Sequence, residues 1–291
     1  MYGLTRHKLF FLLPGLLILL AIILFPLGFT IRVSFSSWDS IRPGLDWIGG
    51  INYSRLIGDA RFWQSLTRLG AIAFTSVILE YLLGFALALL VWRQVRFRRL
   101  TRVLFLVPMM TTPVVMAVIW RTIFHESLGP ANDLVALLGL GSIPWLTNSF
   151  WATVVIILVD VWQWTPFMFL LLLAGLLSLP KEPFLAAAID GAGPIRTFFN
   201  VTFPAMAAIS VGALIIRMIE ASKIMETVYV ITSGGPGTST ETSSYYIFIR
   251  GLRDFQIGYA AALSVTYLVI MIVLLTIIAK LLTKIFVKSG V

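Results

Sequence analysis

An all-α, polytopic membrane protein with six transmembrane helices is the fold class this sequence predicts, and three observations predict it. Of 291 residues, 59% are hydrophobic and only 12% are charged, and the mean hydropathy is +0.95, outside the range of soluble domains. Apolar runs long enough to cross about 30 Å of hydrocarbon, roughly 20 residues at 1.5 Å per residue, recur along the chain. Lys and Arg collect in alternate short loops between those runs, the pattern that orients membrane helices. The same pattern explains the net charge of +9 without nucleic acid as a partner. With no cysteine and two histidines, a disulfide scaffold, a thiolate zinc site, a cysteine nucleophile and a histidine-rich metal site are excluded.

The first run extends from Leu9 to Ile31. Arg6, His7 and Lys8 precede it as they would a signal peptide, but the run is too long and no small-residue cleavage pattern follows, so it is expected to stay as a span. The further runs are Leu69 to Trp92, Val103 to Phe124, Phe150 to Leu179, Pro204 to Ile224 and Tyr259 to Leu282. Gly84 and Ala88 form a small-xxx-small pair suited to close helix approach. Pro108, Pro113 and Pro166 each remove a helix hydrogen bond and favour kinks. The fifth run is the least clean, because Arg217, Glu220 and Lys223 require protein or water around its outer half. Residues 1–68 are expected as an N-terminal span and outer loop, and 69–291 as a five-helix core with a structured loop at 180–204.

Arg93, Arg96, Arg98, Arg99 and Arg102 lie between the second and third runs, whereas His125 to Asn148 contains neither Lys nor Arg. The basic segment is therefore cytoplasmic, and both termini follow it inside. Arg32, Arg42, Arg55, Arg61 and Arg68 depart from this rule on the outer side, accompanied by Asp39, Asp46 and Asp59.

The loop from Leu179 to Pro204 parses as two short helices: Pro183 suits a first turn, Gly191 and Gly193 a reversal, and Pro194 a second start. Ala186, Ala187 and Ala188 give a narrow surface, while Phe184, Leu185, Ile189, Phe198 and Phe199 supply apolar anchors. By composition alone, the loop also fits a hairpin tucked into the headgroup region. The stretch Ala186-Ala187-x-x-Asp190-Gly191-Ala192, with Pro180 upstream and Phe199 and Pro204 downstream, resembles the coupling motif of membrane subunits in binding-protein-dependent ABC importers. That resemblance implies that Phe184 to Val201 docks into an ATPase subunit, with Phe184, Leu185, Ala186, Ala187, Asp190, Gly191, Ala192, Phe198 and Phe199 as the coupling residues. Leu185 stands where the family has Glu, so docking here is expected to rely on apolar packing; Glu182 either substitutes for that Glu or complements the helix dipole.

Ile231-Thr-Ser-Gly-Gly-Pro236, Thr240-Glu241-Thr242 and Phe255-Gln-Ile-Gly-Tyr-Ala-Ala-Ala262 resemble the outer loop and last span of the carbohydrate-uptake subgroup, in particular the maltose- and glycerol-phosphate-type first permease. Phe124 to Asn132 and Trp162 to Leu176 resemble it too. The resemblance implies the type I importer permease fold without the extra periplasmic domain of the maltose system's own subunit. It further implies a second homologous permease, two ATPase subunits that hold ATP and Mg, an extracytoplasmic solute-binding protein, and a bacterial or archaeal inner membrane. No cofactor is expected in this chain, which lacks the G-x-x-x-x-G-K-[ST] phosphate loop and so is not itself an enzyme.

Charged groups at membrane depth are costly, which singles out Glu80, Asp160, Arg217 and Glu220. Asp160, Gln163 and Trp164 combine planar polar groups with an aromatic ring, the chemistry that binds sugars. By resemblance the mid-membrane sugar site is Met109, Asp160, Gln163, Trp164, Arg217, Glu220 and Ala221. Arg217 suits an anionic substrate, unless Glu220, three residues on, neutralises it in an internal salt bridge. Glu80 is read as packing against a partner helix. An ion-driven carrier, with Asp160 and Glu80 as ion sites, is the reading from a different class.

Overall fold

The structure is a computed structural model that describes residues 6–41, 44–94 and 105–286. Arg42, Arg96, Arg98, Arg99, Arg102, Val103 and Lys288 lie outside the described residues. Among the described residues, four helices have the length and apolarity of membrane spans: Phe11–Ser34, Ala60–Trp92, Ser149–Ser178 and Ile257–Ile285. The fifth expected run falls mostly in the second member of a bent pair, Pro194–Ala205 and Ala207–Ala221, angled by 64°, whose first member lies in the expected loop. The third is interrupted: residues 105–110 are helical, Thr111 and Thr112 are not, and a short helix resumes at Pro113–Ile123. Pro113 starts the new helix at the position where its missing N–H costs nothing. Pro166, by contrast, sits inside the unbroken Ser149–Ser178 helix.

The chain forms two compact units, Met1–Phe62 with Tyr246–Ile270 and Trp63–Tyr245 with Met271–Val291. In the first, Ser36–Ser37 and Asp46–Trp47 make a two-residue antiparallel pair, with Ser36 opposite Trp47. The buried amide of Asn52 donates to the carbonyls of Ser34 and Ser36, at 2.9 and 3.0 Å, and so ties this turn to the Ile51–Ile57 helix. Asp59 organises the rest. Its Oδ1 accepts from the N–H groups of Arg61 and Phe62, both at 3.1 Å, capping the helix that starts at Ala60. Its Oδ2 accepts from the hydroxyls of Tyr246 and Tyr259, at 2.6 and 2.5 Å. Burial alone would push the Asp59 carboxyl up, but these hydroxyls and the Phe62 N–H hold it below its ordinary range. Two arginines have local work here: Arg55 covers the Tyr259 ring at 4.0 Å and Arg61 the Tyr246 ring at 5.3 Å.

The core of the second unit joins Phe85, Ala88 and Val91 to Phe169, Leu172, Leu173, Leu176 and Met206. Lipid tails are as apolar as these side chains, so close packing rather than transfer from water must hold the helices together. Gly84 makes the approach possible: a Cβ there would fall 2.7 Å from Met168 Cβ and 2.9 Å from the Phe169 backbone nitrogen. The loop between Ile123 and Ser149 is built on two polar side chains. Asn132 donates to the carbonyls of Glu126 and Ile143 and accepts from the Ile143 N–H and the Trp145 indole. Glu126 accepts from the Thr147 hydroxyl at 2.7 Å and from the Leu146 and Thr147 N–H groups, bonds that hold its carboxyl below the ordinary range.

Candidate functional site

Two features of the second unit stand out, a buried charge cluster and an exposed hairpin. The cluster draws one residue from each of three helices. Arg217 donates from Nε to Glu80 Oε2 at 2.6 Å and from Nη2 to Glu80 Oε1 at 2.9 Å, a bidentate pair. The same Nη2 also donates to Asp160 Oδ2 at 2.5 Å. All three residues are buried, Arg217 and Glu80 completely. The Trp164 ring covers the guanidinium at 4.9 Å. Gln163, also buried, donates to the Thr111 carbonyl at 3.4 Å, an acceptor freed by the break in the third run. Ala221 is buried and Met109 half-buried.

The internal Arg217–Glu220 salt bridge that the spacing suggests does not form. Glu220 accepts from Lys223 Nζ at 2.8 Å, and both side chains are substantially exposed. Glu80 takes its place beside Arg217, from 137 residues away. Sequence alone flagged each charge but not the pairing, because helix rotation and neighbour order decide which faces meet. Among the described residues, no three His, Asp or Glu side chains converge as a metal site.

The hairpin consists of Glu182–Ile189 and Pro194–Thr197. Glu182 and Pro183 occupy the first turn, where a carboxylate and a missing N–H are both favourable. The helix stops at Gly191, whose φ of 69° suits a residue without Cβ. There the Ala192 N–H bonds the Ala187 carbonyl and the Gly191 N–H the Ala188 carbonyl, the paired bonds of a Schellman stop. Pro194 opens the next helix in its first turn. Neither helix buries a residue. Ile189 is 87% exposed, and Leu185 and Phe199 are each 63% exposed; Ala186, Asp190 and Gly191 are exposed beside them, with Ala187 and Ala192 half-buried. Phe184 and Phe198 turn the other way. The Phe184 ring meets Trp92 edge-on at 5.4 Å and Phe198 meets Phe85 at 5.7 Å, so these two fasten the hairpin to the ends of its own helices. A π-helical turn, Phe198–Thr202, then leads into the bent span.

The overall fold is that of type I importer permeases. A crystal structure of a bacterial ABC transporter that imports the acidic polysaccharide alginate superposes with a TM-score of 0.81, at 21% identity over 95% of each chain. A second structure, with an alginate pentasaccharide-bound periplasmic protein, gives 0.82 at 20% identity, over 97% of this chain and 96% of that one. The family model for the inner membrane component of binding-protein-dependent transport systems matches residues 80–289, and the chain belongs to that family. The trehalose/maltose transport system permease protein MalF of Thermococcus litoralis is 34% identical over 89% of this chain and 88% of its own length. The sulfoquinovosyl glycerol permease SmoG of Agrobacterium fabrum is 34% identical over 87% and 83%. The sn-glycerol-3-phosphate permease UgpA of Pectobacterium atrosepticum is 31% identical over 89% and 88%.

Proposed function

We propose that this chain is one of two related permease subunits of an ATP-driven importer that carries a sugar or sugar derivative across the inner membrane, with both termini on the cytoplasmic side. The exposed hairpin carries the reading. A segment stopped by a complete Schellman motif and fastened by Phe184 and Phe198 is rigid, yet it leaves Leu185, Ile189 and Phe199 largely exposed. Such a surface suits the cleft of a separate ATPase subunit, which would hold ATP and Mg. ATP-driven closure of two such subunits, transmitted through Phe184 to Val201, would rock the permease pair between inward-open and outward-open states. A solute-binding protein would deliver substrate to the outer face.

The relatives' named substrates, trehalose/maltose, sulfoquinovosyl glycerol and sn-glycerol-3-phosphate, support a sugar or polyol. Met109 and Trp164, both half-buried, would then line the passage, with Gln163, Ala221, Asp160 and Arg217 buried behind them and Glu220 at its exposed end. Because Arg217 is already bridged by two carboxylates, its charge is not offered to an anionic substrate, and this favours a neutral sugar.

Substrate-stimulated ATP hydrolysis tests the reading, using the complex reconstituted with its neighbouring permease, ATPase and binding protein. Asp190→Arg and Ile189→Asp are expected to lower stimulation more than tenfold and to weaken capture of the ATPase. The melting temperature of the permease pair should not move, because neither residue touches the buried core. Intact stimulation in both variants would show that the hairpin is not the coupling element.

A further inference from the structure

The Glu80–Asp160–Arg217 cluster contains one more carboxylate than it has cations. Arg217 Nη2 contacts Glu80 Oε1 at 2.9 Å and Asp160 Oδ2 at 2.5 Å. The two carboxyl groups thus converge on one guanidinium nitrogen. The neighbouring polar groups on the same helices are committed elsewhere. The Tyr81 hydroxyl donates to Ser210, the Gln163 amide to Thr111, and Glu220 is held by Lys223. Among the described residues, neither carboxyl pairs with a second cation. The guanidinium itself is unevenly used, with two bonds to Glu80, one to Asp160, and a buried Nη1 that has no partner. A net negative charge on groups this deeply buried in a membrane-spanning bundle would be very costly.

We propose that this cluster is a proton-binding site, in which Glu80 and Asp160 share one proton. One carboxyl is the anion paired with Arg217; the other is a neutral acid that donates its O–H to that anion. The proton belongs to the pair rather than to either residue. It makes the junction of three helices neutral overall, so the cluster can be sealed from water. It is retained rather than transported, and the proposal does not rest on the transport reading.

Infrared spectroscopy of the assembled complex in lipid nanodiscs, above neutral pH, tests this. The wild type is expected to show a carboxylic-acid C=O band that shifts in D2O. Glu80→Gln and Asp160→Asn each leave one carboxylate facing Arg217, so each should lose that band completely. Persistence of the band in either variant would overturn the proposal, as would its absence from the wild type, a measurement that needs no variant to fold. A bound sodium ion would also overturn it, and would show as an absent acid band with a sodium-dependent melting temperature.

Discussion

The Arg217 cluster and the Glu182–Thr197 hairpin reverse the arrangement of a soluble protein, one burying charge and the other exposing Leu185 and Ile189. The difference lies in what completes each. The cluster finds its partners within the chain, on three helices, so its worth appears as stability. The hairpin satisfies its own backbone through the Gly191 stop but leaves Leu185 and Ile189 uncovered, so on the proposed coupling role its worth would appear only when something docks. Substitutions in the two regions should therefore separate folding from assembly.

The largest effect is expected from Arg217→Met, which leaves Glu80 and Asp160 facing each other with no cation. Loss of one partner from a buried ionic group costs about 3–5 kcal/mol, and the yield of monodisperse permease should collapse while the hairpin's sequence is untouched. Gly84→Leu should follow, at about 1–3 kcal/mol, because the new side chain meets the Met168 and Phe169 backbone region; thermal melting in detergent measures it. Asp59→Asn removes a carboxylate from two tyrosine hydroxyls and weakens a cap, for about 1–2 kcal/mol. Its pH dependence has a definite sign. The folded-state pKa of Asp59 is depressed, so its contribution is present at neutral pH and is lost as the pH falls through that lowered value. The wild type should lose stability on acidification, and Asp59→Asn should flatten that slope. Glu220→Gln, at the exposed pair with Lys223, should shift melting by less than about 1 kcal/mol. An effect as large as that of Arg217→Met would place Glu220 in the buried cluster after all.

Long uninterrupted apolar runs made four spans legible in the sequence, and proline and glycine spacing made the hairpin legible. The breaks in the third and fifth runs were half-visible. Pro113 marked a discontinuity, but whether it kinks a helix or starts a new one depends on what the freed Thr111 carbonyl meets, which here is Gln163. Pro166 carries the same residue type and breaks nothing. The Arg217 cluster was the least legible, because spacing pointed to Glu220 as the neighbour. A count of charges would have come closer: Glu80 and Asp160 each stand in an apolar span without a local cation, and Arg217 is a cation in need of anions. The Asp59–Tyr246–Tyr259 cluster gave no local signal, since its parts are separated by 187 and 200 residues.

The uncovered hairpin also bears on how the cell handles this subunit. On the proposed coupling role, a copy synthesised ahead of its docking partner would display an exposed apolar patch on a rigid mount. Orphan copies should then be the ones that quality-control proteases recognise, and balanced synthesis with the docking partner should set the steady-state amount of this chain.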